Sequence, residues 1–160
     1  MSVPFTIGAP MKIAIAADHA GYQLKDSLKK LLDEMGVLYE DFGTTNGQSV
    51  DYPDFARAVA EGVAGGKFDR GILVCGTGVG MAIAANKVHG VRAALCNDLF
   101  TARLARAHND ANVLVMGAKV VAPDLAERIL EVWLATPFKG GRHQLRVDQI
   151  SALERGESLV

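Results

Sequence analysis

A cysteine lies directly before a glycine-rich turn in the segment Cys75-Gly76-Thr77-Gly78-Val79-Gly80. The apolar run 72–74 precedes this segment and the small-residue run 81–85 follows it, so the pattern predicts a strand, a turn and a helix. Backbone N–H groups at such a turn, together with the positive end of the helix dipole, bind anionic oxygen. A thiol at a helix N-terminus is readily deprotonated and can act as a base or a nucleophile. The segment therefore predicts chemistry in which negative charge develops beside a thiol.

Each part of this segment also has a purely structural interpretation. The G-x-G-x-G spacing is neither the P-loop nor the dinucleotide-binding fingerprint, and a tight turn without a ligand would need the same glycines. Cysteines at strand ends are most often small buried hydrophobic residues, so residue type alone leaves the role of Cys75 open. Cys96 has no comparable turn after it and is predicted to be structural.

Three further groups of residues suit proton transfer or anion binding. Asp18 and His19 follow the first apolar run, His108 ends a helical pattern, and Arg142 and Arg146 share a helix face at i, i+4 spacing. Histidine titrates near neutral pH and can move protons between oxygens, whereas two guanidinium groups can hold a phosphate. The structural alternatives are a helix-capping aspartate, a helix C-cap histidine and a solvated arginine pair.

Strand and helix patterns alternate along the chain that must position these groups. Apolar runs predict five strands, at 12–17, 38–42, 71–75, 91–96 and 113–117, with helical patterns between them. Strands that are apolar on both faces and separated by helices are typical of a parallel sheet covered on both sides. We therefore expect an α/β fold: a single doubly wound, Rossmann-like, five-stranded parallel sheet with helices on both faces.

The same patterns predict the domain boundaries and the ligand-binding edge. Residues 1–10 contain two prolines and no periodicity, and are predicted to form a flexible N-terminal extension. Residues 11–160 are predicted to form one domain that includes a C-terminal helix at about 142–154. Ligands of doubly wound folds bind at the carboxyl ends of the strands. The groups expected at that edge are Asp18, His19, Cys75, Asn97, Asp98 and Lys119.

Composition narrows the partners and the cellular setting. The chain carries 17 basic and 18 acidic residues, for a net charge of −1, and shows no basic stripe. Nucleic acid and anionic membrane partners are therefore not expected. The two cysteines form no C-x-x-C pair, so neither a disulfide scaffold nor a zinc ribbon is predicted, and a reducing compartment is the natural setting. We expect a soluble cytoplasmic protein.

Several blocks of the sequence together resemble the ribose-5-phosphate isomerase B family, within the wider group of such isomerases and galactose-6-phosphate isomerase subunits. The blocks are Ala17-Asp18-His19-Ala20-Gly21, Asp51-Tyr52-Pro53, Cys75-Gly76-Thr77-Gly78-Val79-Gly80, Ala84-Ala85-Asn86-Lys87, Arg106-Ala107-His108-Asn109-Asp110-Ala111-Asn112 and Gly140-Gly141-Arg142-His143-Gln144. The likeness extends from Met11 to about Glu154. Several blocks in the right order are far more specific than any one of them.

The resemblance implies an aldose–ketose isomerase, with no cofactor and no metal, that interconverts ribose 5-phosphate and ribulose 5-phosphate. Cys75 would move a proton between C2 and C1 of the sugar, while backbone N–H groups of the glycine turn stabilise a cis-enediolate. His108 would help to open the furanose ring, assisted by Asp18. The remaining substrate contacts would be made by Asn109 to the sugar, by His19, Arg142 and Arg146 to the phosphate, and by the turn residues Gly76, Thr77, Gly78, Val79 and Gly80 to the enediolate.

Two positions, Met81 and Lys119, bear on how closely this sequence follows the family pattern. One branch of the family has a glutamate base after the glycine turn, but Met81 occupies that position here, so the chain resembles the cysteine branch. Lys119 stands where relatives often have a phosphate-binding arginine, and it keeps the charge without the bidentate fork.

Three alternatives to a ribose-5-phosphate isomerase stay open. The first is an isomerase of allose 6-phosphate, galactose 6-phosphate or a tetrulose phosphate. The others are a non-catalytic phosphosugar-binding module and a cysteine hydrolase or phosphatase.

The resemblance also bears on assembly. Members of the family form dimers whose sites draw residues from both chains. This implies a homodimer, or a dimer of dimers, in which one chain alone does not complete a site.

Overall fold

A computed structural model describes residues 9–159 of the protein. Strands and helices alternate along these residues as the sequence predicts. The strands are β1 (Lys12–Ala17), β2 (Leu38–Asp41), β3 (Arg70–Cys75), β4 (Ala93–Leu95) and β5 (Val113–Gly117). The helices are α1 (Tyr22–Glu34), α2 (Tyr52–Ala64), α3 (Val79–Ala85), α4 (Leu99–Asn109), α5 (Pro123–Ala135) and α6 (Arg142–Glu154).

The five strands form one parallel sheet in the order β2-β1-β3-β5-β4. The chain moves outwards from β1 to β2 and then returns to place β3 on the other side of β1. Such a reversal is the topological switch point at which doubly wound folds bind ligands. Ala17 pairs with Val74 across β1 and β3, so the residues that follow these two strands emerge side by side.

Helices cover both faces of the sheet, which confirms the predicted fold class. Alternate residues of a strand point to opposite faces, and accordingly Ile13 and Ile15 belong to one hydrophobic core while Ala14 and Ala16 belong to the other. The first core is completed by α1, α4 and α5, and the second by α2 and α3. Helix α6 packs on α4 rather than on the sheet.

The fourth strand is shorter than the predicted run 91–96. β4 lies at the edge of the sheet and pairs only with β5, over three residues from Ala93 to Leu95. Before it, the N–H of Val91 donates to the carbonyl of Val88, and the N–H of Arg92 donates to Oδ1 of Asn112 at 2.7 Å. The apolar Val91 is therefore buried in a turn and not in the strand ladder.

Smaller differences occur at other boundaries. Helix α2 begins at Tyr52, although the fixed φ of Pro53 is typical of a first helical residue, and Asp51 holds the N-cap position. Most of the predicted N-terminal extension, residues 1–8, lies outside the described part of the chain. Within residues 9–159, no helix combines the length and the apolar character that crossing a bilayer requires.

Candidate active site

Asp18 lies at the end of β1, where its side chain is buried. Its N–H donates to the carbonyl oxygen of Val74 at 3.2 Å, which joins the ends of β1 and β3. Its Oδ1 accepts hydrogen bonds from the N–H groups of Ala20, at 2.9 Å, and Gly21, at 3.1 Å. The carboxylate therefore shapes the turn that leads into α1, and Gly21 rather than Asp18 holds the N-cap position of that helix.

Cys75 ends β3 beside Asp18 and is 5% exposed. The N–H of Gly78 donates to its Sγ at 3.2 Å, so the glycine turn folds back over the thiol. Gly78 has a φ of 84°, and a Cβ at this position would lie 2.4 Å from Cδ1 of Leu95. A left-handed conformation in so little space requires glycine. The turn is thus held against the sheet, with the N–H of Gly78 directed at the sulfur of Cys75.

Lys119 and Asn97 reach the same edge from the other half of the sheet. The N–H of Lys119 donates to the carbonyl of Gly76 at 2.9 Å, which fixes Lys119 next to the glycine turn. Oδ1 of Asn97 accepts from the N–H of Gly117 at 3.0 Å and so ties the end of β4 to the end of β5. Asp98 caps α4 by accepting from the N–H of Thr101 at 2.7 Å. The predicted polar residues therefore lie together at the carboxyl edge of the sheet. The side chains of Asn97 and Asp98 accept hydrogen bonds from backbone N–H groups there.

His19 is exposed beside Asp18, and its ring is oriented by the loop that follows β2. The N–H of Val50 donates to Nδ1 of His19 at 3.2 Å. Because a backbone N–H only donates, Nδ1 must be unprotonated in this bond, so the neutral ring carries its proton on Nε2. The loop itself is anchored to β1, since the N–H of Thr44 donates to the carbonyl of Ala17 at 2.7 Å. His19 can therefore offer an Nε2–H donor to an anion.

The other predicted residues form a second cluster at the opposite edge of the sheet. Helix α4 ends at Asn109 just before β5 begins, so His108 and Asn109 lie at the amino edge. β5 has five residues, and at about 3.3 Å per residue they separate the two edges by about 16 Å. Exposed Arg142 and Arg146 lie on α6, which packs on α4. A single chain thus does not bring His108 to Cys75.

Two histidine rings lie against each other in this second cluster. The rings of His108 and His143 have centroids 4.1 Å apart and planes that differ by 10°. Partial burial, followed by the positive charges of His108, Arg142, Arg146 and Lys139, lowers the pKa of His143. The cluster therefore concentrates positive charge at the start of α6, where the helix dipole adds to it.

The structure buries Cys96, the second cysteine, and Met81, the residue that follows the glycine turn. Burial raises the pKa of Cys96 to about 11, so this thiol stays protonated near neutral pH, in line with a structural role. Met81 is fully buried in the core formed with α2. It therefore offers no proton acceptor to the cleft.

Sequence reasoning assigned no role to two side chains that border these clusters. Tyr52 lies against the start of α3, so closely that a Cβ on Gly80 would lie 2.5 Å from its Cζ. His143 stacks on His108. Each stands inside a block that carries the resemblance, next to an acidic or basic residue. Both could have been identified in the sequence as aromatic or titratable residues directly beside a charged residue of such a block.

Comparisons with known proteins show the family of the chain. A family model described as Ribose/Galactose Isomerase matches residues 13–150. The chain is 49% identical over 144 residues to ribose-5-phosphate isomerase B of Escherichia coli (strain K12), which covers 90% of this chain and 97% of that protein. It is 42% identical over 148 residues to D-erythrulose-4-phosphate isomerase of Pectobacterium atrosepticum, which covers 92% of this chain and 97% of that protein.

A solved structure supports the same assignment. Ribose-5-phosphate isomerase B of Clostridium thermocellum matches with a TM-score of 0.90 and 51% identity, covering 92% of this chain and 100% of that chain. Both the sequence and the fold are therefore shared over nearly the whole length. The chain belongs to the ribose/galactose isomerase family, and it is an isomerase.

Proposed function

We propose that the chain interconverts ribose 5-phosphate and ribulose 5-phosphate through a cis-enediolate, with Cys75 as the base. The observation that carries the proposal is the thiol of Cys75 at the switch point of the sheet, with the N–H of Gly78 directed at its sulfur. The relative from Escherichia coli, which bears the name of this activity, supports the choice of substrate.

The chemistry assigned to the carboxyl edge is a proton transfer with no net redox change, in which C2 of the sugar is oxidised as C1 is reduced. The thiolate of Cys75 takes the proton from C2 of the open-chain aldose, and the electrons of that C–H bond form the enediolate. The thiol, whose proton exchanges with solvent, then delivers a proton to C1, while a hydroxyl proton moves from O2 to O1. Backbone N–H groups from Gly76 to Gly80 stabilise the negative oxygen that develops in between. Thr77 and Val79 contribute to this turn through their backbone.

The other residues of the two clusters are assigned to ring opening and to binding of the sugar and its phosphate. Asp18, at the end of β1, orients sugar hydroxyl groups and assists ring opening. His108 transfers the proton that opens the furanose, and Asn109 contacts the sugar. The phosphate is held by basic groups from both clusters, namely His19, Lys119, Arg142 and Arg146.

The separation of the clusters supports a site that two chains share. His108 and Cys75 lie on opposite edges of one sheet, and we assign the missing cluster to a second copy of the chain. Exposed apolar side chains flank both halves: Val79 and Ile83 lie beside the glycine turn, and Leu145 lies on α6. Such side chains are typical of contact surfaces. We therefore assign a homodimer, or a dimer of such dimers, to the active enzyme.

A second substrate class has its own support. The relative from Pectobacterium atrosepticum is named for D-erythrulose 4-phosphate, a tetrulose phosphate. The proton-transfer groups proposed here would act on such a sugar in the same way. Since the thiol and the glycine turn contact only the reacting end of the sugar, the distance from them to the phosphate-binding groups sets the substrate length.

The test is turnover of the purified protein without added metal or nicotinamide. We expect conversion of ribose 5-phosphate to ribulose 5-phosphate, with loss of deuterium from substrate labelled at C2 into solvent water. Erythrulose 4-phosphate, allose 6-phosphate and galactose 6-phosphate are assayed in parallel. Faster turnover of one of these would change the substrate, whereas binding without any exchange would overturn the proposed reaction.

A further inference from the structure

His143 on α6 lies face to face with His108 on α4. The ring centroids are 4.1 Å apart and the planes differ by 10°, so the two imidazoles are nearly parallel and in contact. Aromatic contacts of this kind fix the plane of each ring. A partly exposed histidine without such a neighbour would be free to change rotamer. His143 is therefore placed to hold the ring of His108.

The backbone builds this contact. The N–H of Lys139 donates to the carbonyl of Ala107 at 3.0 Å, which ties the segment before α6 to the last turn of α4. Gly140 and Gly141 follow with φ values of 63° and 56°, a sharp turn that starts α6 beside the end of α4. The first residues of α6 thereby meet the last residues of α4, and the two histidines lie at that junction.

The charges that face His143 are positive. They come from His108 on α4, from Lys139 before α6, and from Arg142 and Arg146 on α6 itself. Partial burial and these four groups, in that order, lower the pKa of His143, and the N-terminal dipole of α6 acts in the same direction. His143 is therefore a neutral ring near neutral pH.

Two acidic residues, one at the C-cap of α4 and one on α6, are bound to other side chains. Asp110 accepts from Arg106 at 2.9 Å and lies 3.5 Å from Arg92. Asp148 accepts from Gln144 at 2.8 Å. Both carboxylates are thus engaged by other residues, which leaves the histidine pair in a basic surrounding.

We propose that His143 is a positioning residue for His108, and that it holds the His108 ring in place by face-to-face stacking. The inference rests on the proposed function, in which His108 opens the furanose ring. A neutral partner suits this purpose, because two charged rings at such a distance would repel each other. His143 acts through His108 and has no assigned contact with the reacting atoms.

Two substitutions separate stacking from other roles of His143. His143→Phe keeps a flat ring and removes the titrating nitrogen atoms, whereas His143→Ala removes the ring. We expect kcat for ribose 5-phosphate close to the wild-type value in the Phe variant and a loss of about two- to tenfold in the Ala variant, the size of one aromatic contact. KM stays close to wild-type in both, since Arg142 and Arg146 remain.

A spectroscopic measurement reports the stack without reference to turnover. In protein labelled at histidine Cε1, the His108 signal is shifted by the ring current of its neighbour. We expect that shift to persist in His143→Phe and to disappear in His143→Ala. His89→Ala, which removes an exposed histidine in the turn before β4, is the matched control and leaves the His108 signal and the kcat unchanged.

The possible outcomes are distinct. An active wild-type enzyme with unchanged kcat in His143→Ala would overturn the positioning role. An equal loss in the Phe and Ala variants would overturn stacking as its cause. If the wild-type protein does not act on ribose 5-phosphate, the proposed function fails, and the His108 signal still shows whether His143 holds the ring.

Discussion

The N–H of Gly78 donates a hydrogen bond to Sγ of Cys75 at 3.2 Å. This bond joins the last residue of β3 to the residue that precedes α3, so the glycine turn closes around the thiol. The left-handed backbone of Gly78 and the contact of the turn with Leu95 and Met116 hold this geometry from the other side. The thiol and the N–H groups that would stabilise an oxyanion are thereby fixed relative to each other before any substrate arrives.

Replacing Cys75 by alanine tests the base. We expect Cys75→Ala to lose about 10³-fold in kcat, within the range for loss of a general base, while ribose 5-phosphate still binds with similar affinity in calorimetry. Cys96→Ala is the control, because burial raises the pKa of Cys96 to about 11 and keeps it a thiol. That variant is expected to retain turnover. Near-normal turnover by Cys75→Ala would contradict the assignment.

The crowded glycine turn predicts that alanine lowers the free energy of unfolding much more at Gly78 than at Gly66, although the two glycines have similar backbone conformations. Gly78 and Gly66 have φ values of 84° and 77°, but a Cβ on Gly66 would meet nothing within 4 Å. We expect Gly66→Ala to cost about 1–2 kcal/mol for the left-handed backbone alone. Gly78→Ala adds overpacking against Leu95, for a total of about 2–5 kcal/mol. Urea unfolding measures both, and equal losses would argue against the crowded turn.

Asp41 predicts an acid-dependent loss of stability. Partial burial acts to raise its pKa, but hydrogen bonds from Lys25, Lys29 and the N–H of Gly43 outweigh burial and hold the pKa of Asp41 below its ordinary value. Since the unfolded value is about 4, the stabilisation is complete above that pH and is lost as the pH falls through the lower folded pKa. The free energy of unfolding should therefore fall below about pH 4 more steeply in the wild-type protein than in Asp41→Asn.

The same variant should be strongly destabilised at pH 7. The side chain of Lys25 is fully buried and lies 2.7 Å from Asp41, so removing the carboxylate leaves a buried charge unpaired, at a cost of about 3–5 kcal/mol. Asp26→Asn is the control, because Asp26 is half exposed and lies 3.8 Å from Lys29. We expect it to cost less than about 1 kcal/mol. Similar losses of unfolding free energy in both variants would show that the buried Lys25–Asp41 pair contributes no more to stability than an exposed pair.

A hybrid of two inactive variants tests the shared site. If Cys75 of one chain acts with His108 of another, a dimer of one Cys75→Ala chain and one His108→Ala chain has one intact site and one doubly altered site. We expect such hybrids, purified through two different affinity tags, to recover about half of the wild-type activity per dimer. Each variant alone stays inactive or strongly impaired. No recovery in a verified hybrid would place each site within one chain.

Local patterns predicted much of the fold and one half of the site. Period-two and helical patterns are properties of neighbouring residues, and they identified the alternating elements and the fold class. The position of Asp18 and Cys75 at one edge followed from the same reasoning, since the carboxyl ends of parallel strands share an edge. Val91 shows where such reasoning fails, because a turn can bury an apolar residue as well as a strand can.

The sequence by itself determined the family, and it supplied the basis for the proposed chemistry through the thiol before the glycine turn and the methionine at position 81. Only the tertiary structure decided the strand order, the distance between Cys75 and His108, and the stack of His108 on His143. These depend on which distant segments pack together, for example α6 on the end of α4. Residue spacing along the chain does not predict such contacts, because they arise from the packing of whole helices and strands around the two cores.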